Sequence, residues 1–281
     1  MHDAHHDALR INRANWDSRV PFHEHGYRLD RYRTDPTLLS DTVRYDLPRL
    51  GSLNGLDVVH LQCHLGTDTL SLARLGARSV TGLDFSEPAL EVARRLAVDC
   101  GADITYVAAD VYDAVTALGA HRFDLVYTGI GALCWLPDIR AWARTVATLL
   151  RPGGQLFIRE GHPVLWSLCD PRPDHLLVVE FPYFEVADGT RFAEPTTYVA
   201  HDGELASPET VQFNHGLAEI FNALWDAGLD ITLFEEHRSV PWNATGWMVA
   251  DDDGEYWLPD GKDRLPASYT LRATRRAEPA A

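Results

Sequence analysis

The hydrophobic pattern of residues 58–86 alternates between the spacing of buried strands and that of a helix. An apolar run at 58–61 is typical of a buried strand, and the polar stretch 62–66 after it predicts a loop. Apolar residues at helical spacing then predict a helix that ends at Gly76; they are Leu70, Leu72, Ala73 and Leu75. A second apolar run at 79–83 ends in Asp84. The pattern therefore predicts a strand, loop, helix and strand, with a carboxylate at the tip of the second strand.

The spacing of Gly66 and Asp84 predicts a nucleoside site. In an open parallel sheet the ligand lies outside the carboxyl ends of the strands, and an acidic group about 20 residues after the glycine loop binds ribose hydroxyls. Asp84 lies 18 residues after Gly66. Gln62 and His64 occupy positions where a dinucleotide fingerprint has glycine, so two phosphates have poor access to the backbone. A nucleoside without a phosphate bridge, such as S-adenosylmethionine, fits better.

Four further motifs make a family resemblance specific. They are Ala-Ala-Asp-Val at 108–111, Phe-Asp-Leu-Val-Tyr at 123–127, Thr-Gly-Ile-Gly at 128–131, and Leu-Leu-Arg-Pro-Gly-Gly-Gln-Leu-Phe-Ile at 149–158. In this order and at these separations they resemble class I S-adenosylmethionine-dependent methyltransferases. The resemblance implies that Asp110 holds the adenine amino group and that Phe85, Val111 and Thr128 belong to the cofactor site. Gln62, His64 or the backbone of Gln62 and Gly66 would contact the methionine portion, since His60 stands where the family more often has an acid.

The same resemblance implies an α/β fold with a seven-stranded, Rossmann-like doubly wound sheet whose last strand is antiparallel. Strands six and seven are expected at 229–236 and 268–273. A helix from about 138 carries Trp142, Val146 and Leu150, with Asp138 at its start. A second helix is expected at 211–227, followed by Gly228.

Two segments lie outside this core pattern. Residues 1–50, here called the cover, predict helical segments with a break at Pro21, and Trp16 either shields the cofactor or attaches the helix to the core. Residues 162–212, here called the insertion, contain six prolines and β-rich stretches at 176–181 and 196–200. They predict an antiparallel hairpin or lid. The expected division is thus 1–50 and a methyltransferase domain at 51–281.

Composition adds limits on partners. The formal net charge is −16, which disfavours nucleic acid and favours a small-molecule acceptor.

No apolar run approaches the ~20 residues of a membrane helix, and the start of the chain lacks the apolar core of a signal peptide. Four widely spaced cysteines, Cys63, Cys100, Cys134 and Cys169, indicate reduced thiols. We therefore expect a cytoplasmic monomer or homodimer. The histidine spacing predicts no metal site.

The acceptor site is expected over the ends of strands four and five, the cover and the insertion. Candidate residues there are His23, His25, Trp135, Glu160, His162, Trp166, His215 and Trp242. Methyl transfer aligns and desolvates a nucleophile, and an oxygen or protonated nitrogen benefits from a general base. His162 is the first candidate base and His215 the second, although either ring can instead bond backbone or cap a helix.

The leading interpretation is methyl transfer from S-adenosylmethionine to an oxygen or nitrogen of a small metabolite, with an aromatic or partly apolar acceptor favoured by the tryptophans. Three alternatives stay open. The same cofactor can serve a non-methylating reaction such as a cyclisation; the chain can bind a nucleoside without turnover; or it is an NAD-dependent oxidoreductase.

Overall fold

The computed structural model describes residues 3–168, 171–259 and 263–277. In those ranges the helices are α1 (Asp3–Gly26), α2 (Asp30–Thr34), α3 (Asp41–Leu50), α4 (Thr67–Arg74), α5 (Glu87–Asp99), α6 (Ala114–Leu118), α7 (Ile139–Leu149), α8 (Pro163–Trp166) and α9 (Leu217–Asp226). The strands are β1 (Asp57–Leu61), β2 (Ser79–Asp84), β3 (Ile104–Ala108), β4 (Phe123–Thr128), β5 (Leu150–Gly161), β6 (Thr190–Ala193), β7 (Glu209–Gln212), β8 (Leu229–His237), β9 (Ser239–Val240), β10 (Val249–Ala250), β11 (Tyr256–Trp257) and β12 (Ser268–Arg275). None of these helices has the length and apolar character that crossing a bilayer requires.

The main sheet has seven strands in the order β3-β2-β1-β4-β5-β12-β8. Strands β1 to β5 are parallel, and β12 is antiparallel to both β5 and β8. The predicted fold class, with its antiparallel last strand, is confirmed. The strand order reverses between β1 and β4, so the carboxyl ends of β1, β2 and β4 border the crevice where open α/β sheets bind ligands.

Helices cover both faces of the sheet because the central strands are apolar on both faces. Trp142 of α7 and Leu224 of α9 pack on one face, together with Val126 and Leu156. Val43 of α3 and Leu72 of α4 pack on the other face against Phe157 and its neighbours. Helix α7 begins as predicted, since the Asp138 carboxylate accepts a hydrogen bond from the Ala141 amide at 2.8 Å. It ends at Leu149, and Leu150, which the pattern assigned to this helix, opens β5.

The predicted break at Pro21 is wrong, because α1 continues through Pro21 to Gly26. A proline inside a helix removes one hydrogen bond and costs about 3 kcal/mol. The carbonyl that loses its partner is that of Asp17, four residues earlier, and Asp17 is half-buried. Tertiary contacts hold the helix on both sides of Pro21: Asn12 bonds to Val211 before the proline, and His23 is fully buried after it.

The insertion forms one hairpin, in which β6 pairs antiparallel with β7 from Thr190–Gln212 to Ala193–Glu209. The β-rich stretches 176–181 and 196–200 form no strand; the first contributes a single bridge, between Leu168 and Val179. A hairpin after strand five was expected, whereas its position within the insertion was not.

The predicted helix at 211–227 starts later, at Leu217. Val211 belongs to β7, and the Phe213 amide donates to the Cys134 carbonyl at 2.8 Å. The apolar residues before 217 are buried by strand pairing and loop contacts, which the helical period of the sequence did not reveal.

Residues 239–257 carry a small sheet, β10-β11-β9, that a buried ion pair fastens to the main sheet. The two terminal guanidinium nitrogens of Arg159, Nη1 and Nη2, donate to the Glu255 carboxylate at 3.0 and 2.7 Å, and the same guanidinium lies 3.6 Å from the centre of the Tyr45 ring. Breaking a buried pair of this kind leaves an uncompensated charge.

The cysteines Cys63, Cys100 and Cys134 are free thiols, as expected. Cys169 lies outside the described residues.

Candidate functional site

The loop after β1 turns sharply at three positions. Gln62, His64 and Gly66 have φ values of 57°, 48° and 76°. This left-handed conformation is strained for the first two, and strain of this kind is concentrated at ligand sites. At Gly66 a side chain is also excluded by space, because a Cβ atom would lie 2.4 Å from the Tyr106 hydroxyl. The loop therefore makes the tight turn of a dinucleotide-binding fingerprint, although Gln62 and His64 stand where that fingerprint has glycine.

Asp84 ends β2 beside this loop. One carboxylate oxygen accepts a hydrogen bond from the His64 amide and the other from the Ser86 amide, both at 2.8 Å. Burial raises the pKa of Asp84 to about 6, even though these amide bonds favour the ionised form. The carboxylate is therefore fixed in orientation and is ionised above that pH.

Asp110 follows β3, the next strand of the sheet. Its carboxylate accepts from the Tyr112 amide at 2.9 Å and caps the short 3₁₀ helix Val111–Asp113. Burial raises the pKa of Asp110 as well. Asp110 thus caps this 3₁₀ helix and also lies on the wall of the cleft.

Asp84 and Asp110 line one narrow cleft. Its volume is about 10 Å³, and it is lined by Leu9, Asn12, Gln62, Leu83, Asp84, Phe85, Ala109, Asp110, Val111, Trp135 and Leu136. Gln62 Oε1 in its wall and Thr128 Oγ1 at the end of β4 are buried oxygens with no hydrogen-bond partner among the described residues. The cleft combines apolar walls with a few polar side chains, Asp84 and Asp110 among them, as small-molecule sites do.

The cover closes this cleft. Leu9 and Asn12 of α1 line it, and Asn12 makes two hydrogen bonds to the backbone of Val211 in β7, at 2.7 and 2.8 Å. Asn15, one turn on, donates to the Ser207 carbonyl at 2.7 Å. These asparagines were not among the sequence candidates; with Arg19 and His23 they form a buried polar row on α1 at a spacing of three or four residues.

A group of rings, here called the imidazole cluster (Trp16, His23, Tyr27, His64 and Tyr198), joins the cover, the loop and the insertion. His23 Nδ1 lies 2.8 Å from His64 Nε2, and His23 Nε2 lies 2.8 Å from the Thr197 hydroxyl. Burial lowers the pKa of His23 to about 2 and that of His64 to about 3, so both rings are neutral near pH 7. The Trp16 ring contacts His23, His64 and Trp135.

The two predicted bases lie elsewhere, and neither lines the cleft. His162 Nδ1 accepts from the Val164 amide at 3.1 Å, and its Nε2 lies 3.1 Å from a Glu236 oxygen. His215 Nε2 lies 2.8 Å from the Leu136 carbonyl. Burial opposes protonation of His215, yet the carboxylates of Glu185 and Glu219 raise its pKa to about 9.

The other acceptor candidates are divided between several places. Trp135 lines the cleft, and His25 is exposed near the end of α1. The Glu160 carboxylate accepts from the amides of Gly131, Ala132, Leu133 and Gly161 at 2.6 to 2.8 Å, so it holds the loop after β4.

Trp166 and Trp242 stack on each other, with ring centres 5.5 Å apart, and border a second cavity of about 310 Å³. The insertion contributes Phe181, Phe192 and Glu194 to this cavity, and the segment after β9 contributes Trp247. Its size and aromatic walls are typical of a small-molecule site.

Comparisons with known proteins agree with this geometry. The family model described as "Methyltransferase domain" matches residues 58–154. The ubiquinone biosynthesis O-methyltransferase of Vibrio cholerae is 36% identical over 115 residues, which are 41% of this chain and 46% of that protein. Its counterpart in Citrobacter koseri is 37% identical over 113 residues, 40% of this chain and 46% of that protein. The aligned region thus spans less than half the length of these curated relatives.

Solved structures share the fold over most of the chain. An S-adenosylmethionine-dependent methyltransferase from Mesorhizobium loti has a TM-score of 0.59 at 24% identity, covering 84% of this chain and 98% of that one. A second, from Methanosarcina mazei, has a TM-score of 0.54 at 17% identity, covering 86% and 100%. The [4+2]-cyclase SpnF has a TM-score of 0.52 at 16% identity, covering 85% and 81%. Residues 58–154 therefore match a methyltransferase domain, and the fold of most of the chain is similar to that of solved S-adenosylmethionine-dependent methyltransferases.

Proposed function

We propose that this chain binds S-adenosylmethionine in the cleft at the ends of β1, β2 and β3 and transfers its methyl group to an oxygen or nitrogen of a small-molecule acceptor. The observation that carries the proposal is the pair of buried carboxylates, Asp84 and Asp110, at neighbouring strand ends of one cleft. The relatives that match 113 and 115 residues of this chain and are named O-methyltransferases support an oxygen acceptor.

The residues present fit the cofactor. Asp84 would accept hydrogen bonds from the ribose hydroxyls and Asp110 from the adenine amino group, while Phe85, Val111 and Leu136 supply apolar walls for the base. The unpartnered oxygens of Gln62 and Thr128 are free to accept hydrogen bonds at the same edge of the sheet. When bound, the cofactor supplies a methyl group activated by a sulfonium.

His64, Gly66 and Trp16 would shape the methionine end. The His64 amide and Gly66 hold the loop in its turn, and Trp16 covers the loop through its contact with the His64 ring. The imidazole cluster buries this end of the site, which excludes water and so strengthens the electrostatic contacts within it.

Entry of the cofactor requires the cover to move. A cavity of about 10 Å³ holds roughly one water molecule. Because Leu9 and Asn12 form part of its wall, displacement of α1 from the sheet widens it most directly. The cover and β7 would shift together, since Asn12 and Asn15 bond to this part of the insertion.

The second cavity is the proposed acceptor site. It lies between the insertion and the segment after β9, beyond the end of β5, and its stacked tryptophans favour an aromatic or partly apolar molecule. His162 and His215 would serve as bases there only after exchanging their present bonds. His23 is no better placed, because His64 and the Thr197 hydroxyl occupy both of its ring nitrogens and burial lowers its pKa to about 2. The net charge of −16 supports a small molecule over nucleic acid.

Isothermal titration calorimetry with S-adenosylmethionine and NADH, on wild type and Asp84→Asn, tests the cofactor. We expect saturable S-adenosylmethionine binding by wild type, at least tenfold weaker binding by Asp84→Asn, and no saturable NADH binding. Asp103→Asn, which changes an exposed aspartate just before β3, is the matched control and should bind like wild type.

Turnover is tested separately by following S-adenosylhomocysteine with a panel of phenols and amines. Cofactor binding with a converted acceptor but no S-adenosylhomocysteine would replace methyl transfer by a non-methylating reaction, of which the cyclase with this fold is an example. Absence of S-adenosylmethionine binding by folded wild-type protein would overturn the proposal.

A further inference from the structure

A buried histidine and two glutamates converge behind the wall of the cofactor cleft. Glu185 lies in the insertion, His215 in the link between β7 and α9, and Glu219 in the first turn of α9. One ligand atom from each residue lies within 4.8 Å of the others. Side-chain exposure is 2% for His215, 26% for Glu185 and 29% for Glu219, so the group is buried at the ring and open to ions at the carboxylates.

The orientation of the His215 ring leaves a lone pair facing negative charge. A backbone carbonyl only accepts hydrogen bonds, so the nitrogen 2.8 Å from the Leu136 carbonyl, Nε2, carries a proton. In the neutral ring Nδ1 then presents a lone pair. Nδ1 lies 2.8 Å from Glu185 Oε2 and 3.7 Å from Glu219 Oε2, and it has no hydrogen-bond partner among the described residues.

Three electron-rich atoms at these distances favour a cation between them, which is either a proton on Nδ1 or a metal ion in its place. We propose that Glu185, His215 and Glu219 bind a divalent transition-metal ion of the Zn²⁺ type. A ligating histidine commonly donates its other N–H to a backbone carbonyl, which is the arrangement of His215 with Leu136. Zn²⁺ binds imidazole nitrogen and carboxylate oxygen at about 2.0–2.2 Å, so modest movement of the glutamates closes the group around one ion.

The ligand set also selects the metal. One nitrogen and two carboxylates suit Zn²⁺ and its transition-metal neighbours, whereas Mg²⁺ and Ca²⁺ prefer oxygen alone. The histidine spacing in the sequence predicted no metal site. The proposed ligands come from three segments, and only His215 and Glu219 have a recognisable spacing, four residues apart. The bound ion would fasten the insertion to α9 and to Leu136, which lines the cofactor cleft.

Calorimetric titration of the metal-stripped full chain with ZnCl₂ at pH 7.5 tests this site. We expect one Zn²⁺ per chain, binding at least tenfold weaker in Glu185→Gln and in Glu219→Gln, and unchanged binding in Glu209→Gln, a control that removes an equal charge from an exposed position of β7. The melting temperature should rise with Zn²⁺ in wild type and the control and not in the two site variants. MgCl₂ should give no saturable heat.

Two results would overturn the proposal. Absence of saturable Zn²⁺ binding by folded wild-type protein would mean that a proton on the ring occupies the place of the metal. Equal binding by wild type and both site variants would put the ion elsewhere, for example at the histidine-rich start of the chain. Circular dichroism of each variant shows that it is folded, and neither readout depends on methyl transfer.

Discussion

At the scale of single residues, Asp84 combines a structural and a binding role. Its two oxygens hold the His64 and Ser86 amides, and the same carboxylate faces the cleft. Burial favours its protonated form, so the folded state holds its proton more tightly than the unfolded chain does. Its contribution to folding stability is therefore greatest below its ordinary pKa of 3.8 and falls as pH rises through about 6.

Cofactor affinity should have the opposite pH dependence. Ribose hydroxyls donate to the ionised carboxylate, so the Kd for S-adenosylmethionine should rise as pH falls below about 6, by at most about tenfold per pH unit. Calorimetry between pH 5 and 8 measures this. In Asp84→Asn the affinity for S-adenosylmethionine should be about 10–100-fold lower than in wild type, because a hydrogen bond to a charged group is lost. This lower affinity should not change between pH 5 and 8. A steep dependence that survives in Asp84→Asn would assign the titration to another group.

At the scale of elements, polar side chains attach the cover in addition to its buried apolar residues Ala8, Ile11 and Val20. Helix α1 continues through Pro21, near its end, because Asn12, Asn15 and His23 bond to the insertion and the cofactor loop. The insertion in turn depends on α1, since the Val211 amide of β7 bonds to the Asn12 side chain. The two segments therefore stabilise each other across almost two hundred residues of sequence.

Asn12→Ala should loosen both segments at once. It removes two buried hydrogen bonds and leaves the Val211 amide unsatisfied, which costs about 1–3 kcal/mol of the free energy of unfolding. Urea unfolding measures the loss, and hydrogen exchange should show faster exchange at Val211. Arg13→Ala, at the next and exposed position of the same helix, is the control and should leave exchange at Val211 unchanged. Equal effects of the two variants would mean that a general loosening of α1, not the contact with β7, accounts for the loss.

At the scale of the whole molecule, negative charge dominates the surface. The chain has 41 acidic and 25 basic residues. Several arginines bridge carboxylates, as Arg151 does between Asp57 and Asp124, yet most of the excess charge stays unbalanced. Self-repulsion of this kind destabilises a compact state, and salt screens it.

The melting temperature at pH 8 should therefore rise between 10 and 150 mM NaCl, over which the Debye length falls from about 30 to about 8 Å. A gain of about 1 kcal/mol corresponds to roughly 2–4 °C for a chain of this size. Differential scanning calorimetry measures the shift. The same salt step near pH 5, close to the isoelectric point of about 5.1, serves as the control and should have little effect. A drop at pH 8 would show that ion pairs outweigh repulsion.

Local patterns in the sequence predicted the α/β fold with its antiparallel last strand, the crossover from β1 to β2 and the position of Asp84 at a strand tip. These features depend on local periodicity, on turn residues such as those at 152–154 and on short fixed separations, all of which are legible in a linear chain. Four features became visible only in the folded chain. Helix α1 continues through Pro21, α9 begins at Leu217, Asn12 lines the cleft, and Glu185 lies next to His215. Each of these features depends on contacts between segments that are far apart in sequence. The energies of such contacts exceed local helix and strand propensities, and a local sequence pattern does not reveal them.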